Sequence, residues 1–477
     1  MYPAINWTSS LGLTGALYVL LALVVTVDVL LKKSDVRSAL GWIAAAWLSP
    51  FFGALLYYLF GINRVTRRAL KLKRRASPVA VRPPSAPTPD DPQMAVMNRS
   101  SRRVTGSELS AGNDIAILEG GDVAYPAMLK AIAEARHSVA MASYIFRDDV
   151  AGRQFADALI AAHERGVTVR ILLDSVGIGY FFPRILYRMR RGGVTAARFL
   201  HTWVPWRMPF LNMRNHRKLV VADGAVAFIG GMNIGDEYAA SLAAKAGKNY
   251  VEDVHFRVDG PGVATIMDVF ARDWAFATDE ELDADCWWPE LTAKGSVAAR
   301  DVRSGPDSDL YKIEMMVGAA LNLARKRVRI VTPYFLPDQR LQFAIAQAGM
   351  RGVVVEIVIP DKNDHIYMDW AVRGHLRFFR HIPATVHVTP PPFDHSKLAV
   401  MDDEWCLIGS SNWDARSFRL NFEFDLECYD RALVRRIDAL IDAKIARSKV
   451  LSFEALATQP IPIRLRNALA RLMMPYL

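Results

Sequence analysis

The chain has 477 residues, 52% of them apolar and 23% charged, which excludes a wholly disordered protein and fits two or three domains. Its net charge of +10 calls for an anionic partner, either nucleic acid or an anionic membrane surface. Three cysteines, Cys286, Cys406 and Cys428, have no metal-ligand spacing and fit a reducing compartment without a disulfide framework.

Most of the excess hydrophobicity lies before residue 62. Residues 11–31 are apolar except for Asp28, and residues 39–61 carry no charge. At about 1.5 Å per residue each reaches across a hydrocarbon core of about 30 Å, so both are predicted to be transmembrane helices, the second kinked at Pro50. A secretory signal is disfavoured because no Lys or Arg precedes residue 32. The connecting loop carries Lys32, Lys33 and Arg37, against Arg64, Arg67, Arg68, Lys71, Lys73, Arg74 and Arg75 after the second helix. This bias predicts both chain ends on the cytoplasmic side of a cell membrane, with a re-entrant hairpin as the alternative. Residues 1–75 thus read as an anchor with a basic collar for anionic headgroups, and residues 76–112 as a stiff Pro-rich linker.

The remainder repeats itself. ARHSVAMASYIF (135–146) leads through a helical stretch to RGVTVRILLD (165–174), and ARKRVRIVTPYF (324–335) leads likewise to RGVVVEIVIP (351–360). Each predicts helix, buried strand, helix, buried strand, so the chain reads as a duplicated α/β domain, 113–295 and 296–477.

Each half then carries the same hairpin: HRKLVVADGAVAFIGGMN from His216 and HSKLAVMDDEWCLIGSSN from His395. His216, Lys218, Asp223, Gly231 and Asn233 match His395, Lys397, Asp402, Ser410 and Asn412 in spacing. Residues i and i+2 of a strand share a face, so each His projects with its Lys. Tight turns are expected at Asp223-Gly224 and Asp402-Asp403, and each return strand brings its Asn back beside the His/Lys pair. Two such sets suit a phosphodiester. Lysines and asparagines hold the nonbridging oxygens, one imidazole attacks phosphorus, and the other protonates the leaving alkoxide. No metal or other cofactor is expected, because the ammonium groups supply the positive charge. Each His also needs a carboxylate to fix its tautomer. Asp253, with Glu252 as second choice, follows the first hairpin and Glu423 the second, each expected beside the His of its own half. The other histidines, His365 among them, read as surface or core residues.

These paired H-x-K-x4-D hairpins resemble the phospholipase D superfamily. Within it, GALLYYLFG, RNHRKLVVADGAVAFIGGMNIGDEY and SSNWDARSFRLNFEFDLE resemble the bacterial cardiolipin synthases. The resemblance covers the chain except the linker. It implies two tandem α/β/α sandwich domains with pseudo-twofold symmetry and one active site between them, behind two transmembrane helices. The implied reaction condenses two phosphatidylglycerols into cardiolipin and releases glycerol, with His216 as nucleophile and His395 as acid/base. It also implies roles for Asp223 and Asp402 in the catalytic set. Ser410, opposite Gly231, would offer one side an extra phosphate contact. Aromatic and basic residues mixed in 181–191 and 199–217, and an amphipathic segment at 461–477, agree with a membrane and a phospholipid as partners rather than nucleic acid. A hydrolytic phospholipase D, a phosphatidylethanolamine-using transferase and a nuclease are the rival activities.

Overall fold

A computed structural model describes residues 7–33, 35–61, 85–202, 213–306 and 309–472. Its contacts divide the chain into two units, Met1–Arg68 and Ala69–Leu477. The basic collar from Arg64 to Arg75, the start of the linker and residues 203–212 and 473–477 lie outside the described residues.

In the first unit, helix α1 (Trp7–Lys32) has 26 residues, or about 39 Å, and its stretch Thr14–Lys32 has a mean hydropathy of 2.3. Among the described residues it is the one helix long and apolar enough to cross a membrane. The second apolar segment is not the single kinked helix expected. Helix α2 (Val36–Leu48) ends at Ser49, α3 (Pro50–Leu56) restarts at the proline, and a π-helical turn follows at Tyr57–Gly61. Pro50 has no N–H to continue the ladder, and Gly53 lets α3 cross the last turn of α2: a Cβ there would lie 2.2 Å from the Ala45 carbonyl oxygen. Asp28, the lone acid of α1, pairs with Lys32 and accepts from the Tyr57 hydroxyl at 2.8 Å. Its charge is therefore compensated within the unit.

In the second unit, part of the expected linker is a helix. Asp91 caps α4 (Pro92–Thr105) through the N–H groups of Gln93 and Met94, and Gly106, at φ +74°, closes it. Met94 and Met97 enter the core of the second half, and Gln93 donates to Asp402 at 2.6 Å. Its buried stripe includes Gln93, Ser101 and Thr105, so hydrophobic periodicity does not announce it.

The first half supplies strands β1 (Ser110–Glu119), β2 (Ser138–Ser143), β3 (Thr168–Asp174), β4 (Thr195–Phe199), β5 (Leu219–Ala222), β6 (Val226–Gly230), β7 (Val251–Glu252) and β8 (Val254–Asp259). The second supplies β9 (Val297–Ser304), β10 (Arg327–Val331), β11 (Phe335–Leu336), β12 (Val354–Pro360), β13 (Thr385–Thr389), β14 (Phe393–Asp394), β15 (Leu398–Met401), β16 (Trp405–Gly409), β17 (Trp413–Asp414), β18 (Glu423–Tyr429) and β19 (Lys449–Val450). The second half also carries helices α5 (Ile366–Leu376), α6 (Arg431–Ala446) and α7 (Ile461–Leu472).

The expected repeat is present, with helices Val150–Glu164 and Gln339–Met350 joining parallel strands β2/β3 and β10/β12. The two halves nevertheless share one 15-stranded sheet. Its order β4-β3-β2-β5-β6-β8-β1 is mirrored as β9-β18-β16-β15-β10-β12-β13, and antiparallel pairing of β1 with β9 joins the two runs. Each half has its own apolar cluster on that sheet.

Candidate active site

Both hairpins form, Leu219 opposite Ile229 and Leu398 opposite Ile408, with three-residue turns at 223–225 and 402–404. His216 and His395 lie just before β5 and β15, each 7% exposed, and both line one cavity of about 370 Å³ together with Asn233 and Asn412. Lys218 and Lys397 lie beneath them, almost fully buried. Lys218 Nζ donates to the His216 carbonyl at 2.6 Å, and Lys397 bonds the His395 carbonyl in the same way.

The carboxylates are crossed between the halves. His216 Nδ1 pairs with Glu423 at 2.9 Å and His395 Nδ1 with Asp253 at 2.7 Å, so neither His uses the acid that follows it in its own half. Short main-chain bridges cause this. Strand β14 pairs in parallel with β7, and the His395 N–H donates to the Glu252 carbonyl at 2.7 Å. On the other side Asn215 bridges Phe422, and the His216 N–H donates to the Phe422 carbonyl at 2.9 Å. Each bridge delivers a His alongside the acid one residue beyond its partner. Glu252, the second choice, is instead tied to Lys444 and Arg447; Lys444 also holds Asp394 at 2.7 Å, locking the β7/β14 pair. Arg217 plays the matching part for Glu423, donating to its carbonyl at 3.0 Å while paired with Asp273.

Asp223 and Asp402 do not reach the cavity. They occupy the distal hairpin turns at φ +51° and +53°. Asp223 accepts from the N–H groups of Arg136, His137 and Ser138, and Asp402 from those of Arg325, Lys326 and Arg327. They anchor each hairpin to the start of its neighbouring strand in the sheet, β2 or β10. Ser410 likewise makes no cavity contact: its hydroxyl donates to Glu423 at 2.6 Å. Gly231 leaves room for the opposite acid, since a Cβ there would lie 2.5 Å from Asp253 Oδ1.

Burial, reinforced by Lys218 and Lys397 against the pull of Glu423, lowers His216 to about 4, and burial with Lys397 lowers His395. Burial also lowers both lysines. Burial opposes ionisation of Glu423, but His216, Lys218 and the Ser410 hydroxyl outweigh it and hold the carboxyl at about 2. A carboxylate at Nδ1 fixes the Nδ1–H tautomer and aims the Nε2 lone pair into the cavity.

The spacing argument missed the aromatic collar. Tyr144 packs against His216 at 5.0 Å between ring centroids, and Tyr238 and Tyr334 approach His395 at 6.2 and 6.4 Å. A tyrosine at the end of each repeated buried strand, in SYIF and TPYF, was the available signal. His365, read as an ordinary surface or core residue, lines the cavity, as do Arg214, Asp364 and Arg416.

Residues 128–274 and 317–445 match the family model described as cardiolipin synthase, PLD-like domain. The chain belongs to this family. Residues 20–61 match the phospholipase D-nuclease N-terminal model. Similar proteins include the major cardiolipin synthase ClsA of Bacillus subtilis, 29% identical with 98% of each chain covered, and a cardiolipin synthase of Oceanobacillus iheyensis, with the same identity and coverage. Among solved structures, a phosphatidylserine synthase from Haemophilus influenzae covers 80% of this chain and 100% of its own at a TM-score of 0.63 and 16% identity. At that identity the likeness shows a shared fold.

Proposed function

We propose that this chain is a cardiolipin synthase, a phosphatidyltransferase that moves a phosphatidyl group from one phosphatidylglycerol to another. The observation that carries the reading is the pair of imidazoles in one cavity, each bound through Nδ1 to a buried carboxylate of the other half. Nε2 of His216 attacks phosphorus, and His395, which takes up a proton at Nε2 when the anionic phosphodiester binds beside it, gives that proton to the departing glycerol oxygen. A hydroxyl of the second phosphatidylglycerol then returns a proton to His395 while its oxygen attacks phosphorus. The P–N bond breaks, His216 regains its lone pair and cardiolipin leaves. Asn233 and Asn412, which line the cavity, offer donors to the phosphoryl oxygens in both steps, and Lys218 and Lys397 beneath the histidines add positive charge. Glu423 and Asp253 stabilise whichever imidazole carries positive charge.

A lipid substrate is supported by the rim of the cavity. Val176 lines it on the loop after β3, which continues to Phe181 and Phe182, 56% and 83% exposed. The equivalent position after β12 presents Ile366 and Tyr367, 65% and 45% exposed, with Tyr367 lining the cavity. Helix α7, packed on α5, exposes Ile461, Leu465, Leu469 and Leu472 among Arg464, Arg466 and Arg471, a pattern suited to the headgroup layer. Apolar groups exposed on both sides of a catalytic mouth let a headgroup enter while its acyl chains remain in lipid.

The test is to incubate the purified full-length protein with phosphatidylglycerol in detergent containing EDTA and to separate the lipids. Cardiolipin with an equal amount of glycerol is expected. Phosphatidic acid alone would make the chain a hydrolase, and loss of turnover with EDTA would sink the metal-free route. His216→Ala and His395→Ala should both abolish turnover. Phosphohistidine should still be trapped in H395A and not in H216A, and the reverse pattern would exchange the two roles.

We also propose a multi-pass anchor in a bacterial cell membrane with the catalytic residues on the cytoplasmic side, supported by the excess of Lys and Arg between residues 64 and 75 over the loop at 32–37. A cysteine introduced at Ala80 should react with a membrane-impermeant maleimide only after the cells are opened; labelling in intact cells would place it outside.

A further inference from the structure

The catalytic groups obey the duplication, but one wall of the cavity does not. Arg214 stands two residues before His216, and Arg416 four residues after Asn412; both line the cavity. The corresponding positions of the other half hold Phe393 and Glu237. Phe393 packs on His395 at 5.9 Å between centroids, and Glu237 is held by Arg147 at 2.8 Å. The near-symmetric set of two lysines, two asparagines and two imidazoles matches the phosphate being transferred, which meets both hairpins. A guanidinium pair present on one side only matches a group present once.

The reaction brings such a group. The acceptor phosphatidylglycerol presents a hydroxyl to the phosphohistidine and carries its own unreacted phosphate three carbons away. We infer that Arg214 and Arg416 form a second phosphate subsite, which recognises the acceptor lipid by that phosphate and holds its glycerol against the reaction centre. Guanidinium groups suit the task, because their planar donors match two phosphate oxygens at once.

Arg214 donates to the Met213 carbonyl at 3.0 Å, and a guanidinium carries five N–H donors, more than one such bond uses. Asp174, whose charge attracts Arg214, also accepts from the N–H groups of Val176, Gly177 and Asn215 at 2.9, 3.3 and 2.9 Å. Asp414, beside Arg416, accepts from the Ser417 N–H at 2.8 Å and caps the short helix Ala415–Arg419. Burial lowers Arg214 against the pull of Asp174 and Tyr144, and the charge of Arg416 adds to the lowering, a repulsion that an anion bound between the two would relieve.

The inference rests on the transfer reaction proposed above, and one experiment separates the two. The full-length protein in phosphatidylglycerol vesicles is supplied with labelled glycerol. Exchange of glycerol into phosphatidylglycerol uses an acceptor with no phosphate, whereas cardiolipin formation uses one that has it. In R214Q and R416Q the ratio of cardiolipin formed to glycerol exchanged should fall at least tenfold. R416K, which keeps the charge, should recover part of the loss. Continued exchange reports that each variant is folded and still forms the phosphohistidine. An unchanged ratio, whether both rates fall together or neither moves, overturns the second subsite. Wild-type protein that makes neither product would instead sink the transfer reading itself.

Discussion

At the scale of single residues, the site is governed by what burial does to two imidazoles and two ammonium groups. His216 is lowered to about 4 from 6.5, and His395 moves the same way. A lowered imidazole stays neutral as pH falls until its own pKa is reached, so the attacking nitrogen keeps its lone pair far below neutrality. The acid limb of kcat/KM, which reports the free enzyme, is therefore expected at about pH 4 rather than at the ordinary histidine value of about 6.5. A bound phosphodiester adds negative charge between the two rings and raises both, so the kcat profile should lie at higher pH than that of kcat/KM. Paired pH–rate profiles on phosphatidylglycerol vesicles check this; coincident profiles with an acid limb near 6.5 would mean that burial does not set the state of His216. The identity of both catalytic histidines was legible because a strand-borne H-x-K is uninformative once but compelling when repeated with its glycines and asparagine. Arg214 and His365 belong to no repeated spacing and became visible only where the loops converge.

At the scale of elements, the most consequential reassignment concerns Asp223 and Asp402. Spacing alone places them in the catalytic motif, yet each closes a hairpin turn by gathering main-chain N–H groups at the start of the neighbouring strand. A carboxylate accepting several such bonds is a structural cap, and its loss removes the partner of several main-chain donors at once. Asp402→Ala should cost about 2–4 kcal/mol of stability. Its folded fraction should keep turnover within about threefold of wild type by this reading of a capping role. Thermal melts alongside activity per folded molecule decide the matter: an unchanged melting temperature with lost turnover would return Asp402 to the chemistry. The same element-level logic explains α4. Its register is set by Asp91 and Gly106, but its buried face is half polar, and only the partners Asp402 and Glu427 make Gln93 and Ser101 suitable interior residues.

Across the catalytic unit, duplication produces more than two copies of a site. The strand orders of the two halves mirror each other and join through β1 and β9 into one sheet. Parallel bridges at β7/β14 and Asn215/Phe422 then exchange the orienting acids, so neither half holds a complete His–carboxylate pair. The sequence by itself determined the repeat, the strand–helix–strand units, the two hairpins with their histidines and lysines, and the apolar first segment, because each depends on periodicity or spacing within a few tens of residues. Only the tertiary structure decided that Glu423 serves His216 and Asp253 serves His395. It also broke the second apolar segment at Pro50 and turned Asp223 and Asp402 away from the cavity. Each hairpin is half of a catalytic module: local pattern specifies which groups a segment carries, but which groups meet is set by pairings across more than a hundred residues, to which periodicity is blind.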